Sequence, residues 1–399
     1  MKDCRAPFKG LMNLKLDSFN SLKTPCYVLD EKQLKKNGEI LKGVQDRTGC
    51  KILLAQKAFS NYDMYPVLEP YLAGSEASGL FEARLGKEEM PNKEVHVFCG
   101  AYREDEMDEL LKYADHIVFN SPYQIKKFGK KAKQAGKSIG LRINPECSTQ
   151  DGHEIYDPCA PGSRLGTTRE QWNQMMDEET ISLLDGLHFH TLCEQNSDAL
   201  QTTLEAVEKK FGDVLPKMKW LNMGGGHHIT REDYDIDCLE KCIKKAIDMW
   251  QVEVYLEPGE ACALNAGYLF TRVLDVLKNG NTSLAILDMS AACHTPDVIE
   301  MPYKPPLYNA AEENEKAYTI RLGGPTCLAG DVIGDYSFDQ ELERNQLLIF
   351  GDMAIYSTCK NNTFNGMPLP SILCLKEDGS IETLKEFDYS NFKCRLGSK

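Results

Sequence analysis

The chain has 399 residues, 42% apolar and 27% charged, an ordinary globular composition with enough length for a sizeable core. Acidic residues number 60 against 46 Lys plus Arg, and the resulting charge of −14 argues against a nucleic-acid partner while favouring cations in any open cleft. The longest apolar runs, such as 284–287, are far too short for a membrane span, and the opening MKDCRAPFKG lacks the apolar core of a secretory signal.

Fifteen cysteines are scattered singly and form no CxxC pair. A zinc ribbon or thioredoxin motif is therefore unsupported, and reduced thiols in a cytoplasmic protein are expected. From about residue 26 to 258, short apolar runs alternate with amphipathic stretches. Strands are expected at 51–56, 73–78, 94–99, 116–120, 138–144, 185–191, 219–223 and 253–257. Helices are expected at 63–72, 80–89, 105–113, 122–134, 169–176, 198–211 and 233–250, with start signals at Ser121-Pro122 and Thr230. Eight buried strands interleaved with helices predict an α/β fold, a (β/α)8 TIM-like barrel over 26–260, with an open doubly wound sheet as the competitor.

After residue 260 the pattern changes to strands at 268–277, 283–289, 317–322 and 346–350, separated by Gly/Pro turns. This predicts a β-rich domain over 261–399, on which residues 1–25 are expected to pack. Residues 302–306 and 312–316 read as surface loop, and no internal repeat is visible.

Polar residues recur where barrel strands end, the mouth at which barrel active sites form. The first strand runs into Lys57 (KILLAQKAFS), the fifth carries Arg142 (IGLRINPE), and the sixth carries His188 and His190 (LDGLHFHTLCE). Gly224, Gly225 and Gly226 follow the seventh, before a helix, and Glu257 ends the eighth. Lys57 is either a lysine snorkelling from a strand end or an amine that condenses with a carbonyl group. The glycine run is either a tight turn or a cradle in which backbone N–H groups and a helix dipole meet a phosphate. Glu257 is a salt-bridge partner, or it keeps a ring nitrogen protonated, as pyridoxal phosphate needs in order to act as an electron sink.

His188 and His190, two apart on a strand, face one way. With His227 and His228 near the next strand end they open a second reading, a barrel metallohydrolase. Against it, His188 reads equally as a core histidine and His190 as a residue that stacks on a flat ring. In the β-rich domain, GGPTCLAGDVIGDY places Cys327 and Asp331 in a Gly/Pro-framed loop, which makes Cys327 the cysteine best suited to a functional role.

Together these motifs resemble the fold-type III pyridoxal-phosphate decarboxylases, the group that includes ornithine and diaminopimelate decarboxylases and alanine-racemase-like proteins. The resemblance runs from TPCYVLD near residue 24 to TFNGMPLP ending at 370. LHFHTLCE, NMGGGHHIT, EPGEA and GPTCLAGDVIGDY are most similar to the branch acting on carboxynorspermidine or carboxyspermidine. The resemblance implies a cofactor, pyridoxal 5'-phosphate, held covalently by Lys57, with His190 stacked on its ring and Glu257 at its nitrogen. Gly224, Gly225, Gly226 and Tyr356 (DMAIYS) would take its phosphate, with Arg142 nearby.

The resemblance further implies a head-to-tail homodimer in which Cys327, from the partner subunit, protonates the carbanion left by carbon dioxide. Asp331 would contact an amine of a carboxylated triamine substrate, and Asp288, His294 and Asp297 would face that substrate too. No metal is implied. Ornithine and diaminopimelate enzymes carry Arg where this chain has Glu260, and an acidic residue where it has Leu328. Both departures argue against those substrates, and Glu260 is expected to turn away or to serve the substrate. Diaminopimelate decarboxylase, an amino-acid racemase and a non-catalytic regulatory homologue are the rival readings within this fold.

Overall fold

The computed structural model describes residues 8, 10–11, 19–150 and 154–398 and separates into two units, one of residues 36–262 and one built from the chain up to Lys35 and from Ala263 onward. Strand β1 (Cys26–Asp30) is buried at every position and leads into the helix Glu31–Thr48. The sequence reading starts the barrel domain at residue 26 and so includes this strand in it. In the structure β1 instead pairs antiparallel with β10 (Gly267–Asn279) and parallel with β15 (Ser371–Leu375), in the other unit.

In the first unit, β2 (Lys51–Ala55), β3 (Gly74–Ala77), β4 (Glu94–Phe98), β5 (His116–Phe119), β6 (Ser138–Arg142), β7 (Gly186–His188), β8 (Trp220–Asn222) and β9 (Glu253–Leu256) close in chain order into a parallel barrel. The ring is completed by β9 returning to β2, with Lys51 opposite Tyr255. Strands covered by helices outside and side chains inside read as short unbroken apolar runs, which is why they were visible in sequence. Trp220 packs with Leu53, Val118 and Tyr255 inside the barrel. A β-carbon on Gly186 would lie 2.0 Å from its indole and one on Gly140 2.3 Å, so two neighbouring strands make room for the ring by lacking side chains.

Two helical expectations change, and one helix went unexpected. The stretch 63–72 breaks into Tyr62–Met64, Tyr65–Leu68 and Glu69–Tyr71, because Pro66 and Pro70 each remove a backbone donor. The helix expected from 233 starts at Ile236, where the Asp235 carboxylate accepts from the Cys238 N–H; Thr230 instead donates its hydroxyl to the Ala261 carbonyl. The helix Glu31–Thr48 was not foreseen, because its charged sequence hides a stripe of buried Leu34, Leu41 and Val44.

The second unit is a mixed sheet containing, besides β1, β10 and β15, the strands β11 (Thr282–Leu287), β12 (Tyr318–Gly323), β13 (Val332–Phe338), β14 (Leu347–Gly351) and β16 (Ile381–Lys385). Its order is β13-β12-β11-β10-β1-β15-β16, with β14 paired to β10. Tyr27, Leu269, Leu322 and Phe350 belong to one core, and Phe8, Leu11 and Phe19 pack with Tyr268 and Phe270 in a second. Among the described residues no helix is long and apolar enough to cross a membrane.

Candidate active site

At the C-terminal mouth of the barrel lies a cavity of about 240 Å³, lined by Lys57, Glu76, Arg142, Arg164, His188, His190 and Glu257 together with Ser78, Phe98, Cys99, Gly100 and Leu165. Four of them arrive by the same device: Lys57 follows β2, Arg142 and His188 end β6 and β7, and Glu257 follows β9. Five residues foreseen from sequence (Lys57, Arg142, His188, His190 and Glu257) therefore share one cavity. Glu76, on β3, and Arg164, in the loop after β6, were missed.

Glu257 is buried, and burial works against its charge. The His188 Nε2–H at 3.0 Å and the Asn222 amide both donate to it, holding its carboxyl below the usual value and so ionised. Burial lowers the His188 imidazole, leaving it neutral with its other nitrogen unpartnered among the described residues. His190 is likewise held well below its ordinary value by burial and by the nearby Lys57 charge. Its Nδ1 accepts the Gly225 N–H at 3.1 Å, which leaves Nε2 to carry the proton.

Arg142 donates to the His190 carbonyl at 3.0 Å and lies 4.6 Å over the Phe98 ring; burial lowers its pKa to about 10, so it stays charged. Glu76 is 5% exposed, and its carboxylate accepts no hydrogen bond among the described residues. Burial first, and the Glu257 charge second, push its pKa well above the carboxylate range. Lys57 is exposed to the cavity and forms no ion pair among the described residues.

The glycine run after β8 is a close-packed cradle. Gly224 and Gly226 have φ of +70° and +79°, and β-carbons on Gly224, Gly225 and Gly226 would meet backbone atoms at 2.4, 2.4 and 2.1 Å. Because the next helix begins only at Ile236, the expected helix dipole is absent and any anion there must rely on loop amides. The Gly224 and Gly225 N–H groups donate to Asn222 and His190, whereas those of Gly226 and His227 have no acceptor among the described residues. Glu260, at the start of the short helix Glu260–Ala263, turns to His228 and accepts from its Nε2–H.

In the sheet unit, Cys327 is exposed. The residues expected to face substrate there already have protein partners. Asp288 accepts from the hydroxyls of Thr24 and Thr271 and from the Arg272 N–H. His294 accepts the Ser290 N–H at Nδ1 and donates to the Pro368 carbonyl, fully buried. Asp297 pairs with Lys360, and Asp331 is buried under four donors. Tyr356 precedes the short helix Ser357–Lys360 with φ +55°. Sequence ranks polar residues by motif and does not show which of them neighbouring donors already engage.

Of the four histidines behind the metallohydrolase reading, His228 falls in a group of potential ligands, with Glu194 and Glu260, among the described residues. His188 is committed to Glu257 and His190 to Gly225, and neither belongs to a group of three ligating side chains among the described residues. A second group, Glu94, His96 and His116 at the barrel's other mouth, has its imidazoles stacked 3.9 Å apart and only 11° from parallel.

A cavity-lining amine, a buried carboxylate and a glycine cradle with two spare amides, all at one barrel mouth, suit a flat anionic carbonyl cofactor. The fold and site define an enzyme of the barrel-plus-sheet class that works through such a group. A family model described as "Pyridoxal-dependent decarboxylase, C-terminal sheet domain" matches residues 26–354. The chain belongs to the pyridoxal-dependent decarboxylases, which are carboxy-lyases. It is 40% identical over 388 residues to a carboxynorspermidine/carboxyspermidine decarboxylase of Campylobacter jejuni subsp. jejuni, covering 94% of this chain and 99% of that one. It is also 40% identical over 379 residues to a carboxyaminopropylagmatine decarboxylase of Synechocystis sp., covering 95% and 96%. A crystal structure of carboxynorspermidine decarboxylase with norspermidine from Campylobacter jejuni superposes with a TM-score of 0.86 at 39% identity, covering 94% of this chain and all of that one.

Proposed function

We propose that this chain decarboxylates carboxynorspermidine or carboxyspermidine, giving norspermidine or spermidine, with pyridoxal 5'-phosphate attached at Lys57. The observation that carries the reading is a Lys57 amine, without an ion-pair partner among the described residues, sharing one cavity with the buried, ionised Glu257. Lys57 would hold the cofactor covalently, Glu257 would bind its protonated ring nitrogen, and the amides of Gly226 and His227 would take its phosphate. His190, neutral and fixed by Gly225, would lie against the ring. When bound, the cofactor supplies an electron sink for the bond between the α-carbon and its carboxylate. The Glu257 charge keeps that sink effective by favouring a protonated nitrogen. Cys327, brought by a second copy of the chain in a head-to-tail dimer, would return the proton to the carbon that loses carbon dioxide.

The substrate choice rests on the named relatives and on the net charge of −14, which favours a polycation. Carboxyaminopropylagmatine is the second reading, because its Synechocystis enzyme is equally similar. Diaminopimelate is disfavoured by Glu260 and Leu328 and by an identity of 24% to the enzyme of Aquifex aeolicus.

The test is mass-spectrometric product detection from purified protein with added pyridoxal phosphate, offered each of the four substrates separately. Triamine formation from carboxynorspermidine or carboxyspermidine, lost in Lys57→Ala together with covalent cofactor attachment, is the expected result. Product from carboxyaminopropylagmatine alone would install the second reading. Lysine alone from diaminopimelate, or full activity in Lys57→Ala, would overturn the assignment.

A further inference from the structure

The loop that carries Cys327 is tied down by more polar contacts than a surface turn requires. It joins β12 to β13 and would be free to splay if it relied on its glycines. Instead Asp331, 4% exposed, reaches back beneath it. Its carboxylate accepts from the Thr326 hydroxyl at 2.7 Å and the Thr326 N–H at 3.3 Å, both in the residue directly before the thiol. It also accepts from the Ser290 hydroxyl at 2.9 Å and the Ala292 N–H at 3.2 Å, at the start of the helix Ala291–His294. A β-carbon on Gly324 would sit 2.3 Å from this carboxylate, so the loop's first turn is glycine to let Asp331 in.

A second tie comes from residues 362–365. The Asn365 side-chain oxygen accepts the N–H of Cys327 itself at 3.2 Å. Asn365 has φ +60°, a conformation that Asn, Asp and Gly adopt most readily. Its segment is anchored to the same short helix, since the Asn362 amide donates to the Ala292 carbonyl at 2.8 Å and the Asn362 N–H to the Cys293 carbonyl at 2.9 Å. Two loops distant in sequence thus hang from one helical turn and meet at the backbone of Cys327.

We propose that Asp331 and Asn365 are positioning residues that fix the Cys327 thiol for proton return, with Asp331 acting as a clamp rather than as a contact to substrate amines. A proton donor must be held to within a fraction of an ångström of its target, and an exposed thiol on an unclamped turn would not be. The inference rests on the proton-donor role given above to Cys327, although the clamp itself stands on geometry alone.

The test uses full-length holoenzyme and compares Asn365→Gly with Asn365→Asp. Both side chains tolerate the left-handed backbone, and only the aspartate keeps an acceptor for the Cys327 N–H. Asp331→Ala removes the other tie. The readouts are amide hydrogen exchange across 324–331, kcat and KM, and the fraction of turnovers that misplace the proton. A misplaced proton leaves the product as an aldehyde while the substrate's nitrogen and two electrons remain on the cofactor as its amine form.

In Asn365→Gly, exchange at Cys327 should accelerate about tenfold, the factor for one lost hydrogen bond of ordinary strength. Its kcat should fall and its misprotonated fraction rise with KM little changed, and Asn365→Asp should restore all three. Unchanged exchange in both Asn365→Gly and Asp331→Ala overturns the clamp. Faster exchange with unaltered kcat and product ratio overturns the positioning role, and if Cys327→Ala is equally silent the fault lies with the thiol assignment itself.

Discussion

Glu76 offers the sharpest test of the cavity's electrostatics, because its carboxyl is buried, unbonded among the described residues and beside an ionised Glu257. Its pKa lies well above the usual carboxylate value, chiefly from burial and then from the Glu257 charge. The folded protein therefore holds this proton at pH values where the unfolded chain has released it. Wherever the native state binds the extra proton, stability falls as pH rises, by about 1.4 kcal/mol per pH unit for one group. The window opens above the ordinary carboxyl value of 4.5 and closes when the buried group finally ionises.

Glu76→Gln has no proton to hold and should lose that slope. Between pH about 5 and about 7, inside the window, the variant should gain roughly 2.7 kcal/mol relative to the parent. The assay is urea denaturation of both cofactor-free proteins across that range, read as the difference of the two stability curves so that other titrating groups cancel. Parallel curves would show that Glu76 ionises like an ordinary surface carboxylate, and the picture of a cavity holding a neutral acid beside a charged one would fall.

Two further outcomes follow from packing. Gly186→Ala forces a β-carbon to within 2.0 Å of the Trp220 ring, so overpacking should cost about 1–3 kcal/mol, visible as a lowered thermal midpoint with cofactor affinity largely intact. Gly226→Ala combines φ +79° with a contact of 2.1 Å to the Leu192 carbonyl, so it should weaken pyridoxal-phosphate binding in a fluorescence titration far more than it lowers the thermal midpoint. Equal damage to both quantities would make that glycine a folding requirement alone.

The barrel was legible because each of its steps is local: a strand, a helix and a return to the neighbouring strand, with turn signals between. Strand β1 was not, because what decides its place is pairing with Gly267–Phe270 and Ser371–Leu375, more than two hundred residues away. No periodicity in CYVLD records that. The site followed the same division. Lys57, Arg142, His188, His190 and Glu257 stood out as polar residues ending apolar strands, whereas Glu76 lies among small residues inside the expected strand 73–78, in GSEASG. Its position at a strand's C-terminal end was the available signal. Arg164 in PGSRLG had no such strand to mark it, and only the cavity brings it into view.

The unusual Glu260 finds its explanation in His228. A lone carboxylate near the glycine run would repel an anion, yet Glu260 accepts from the His228 imidazole with both groups mostly covered. Burial opposes the imidazolium, but the carboxylate overcomes it and lifts the His228 pKa above its ordinary value. Glu194 adds a second carboxylate to the same cluster and lifts His228 further. On the proposed function, the Gly226 and His227 amides, which lack acceptors among the described residues, would supply the attraction for a phosphate. Amides act only at hydrogen-bond distance, so this cradle depends on close backbone approach. That dependence would suit three successive glycines, where a long cationic side chain could reach an anion from afar.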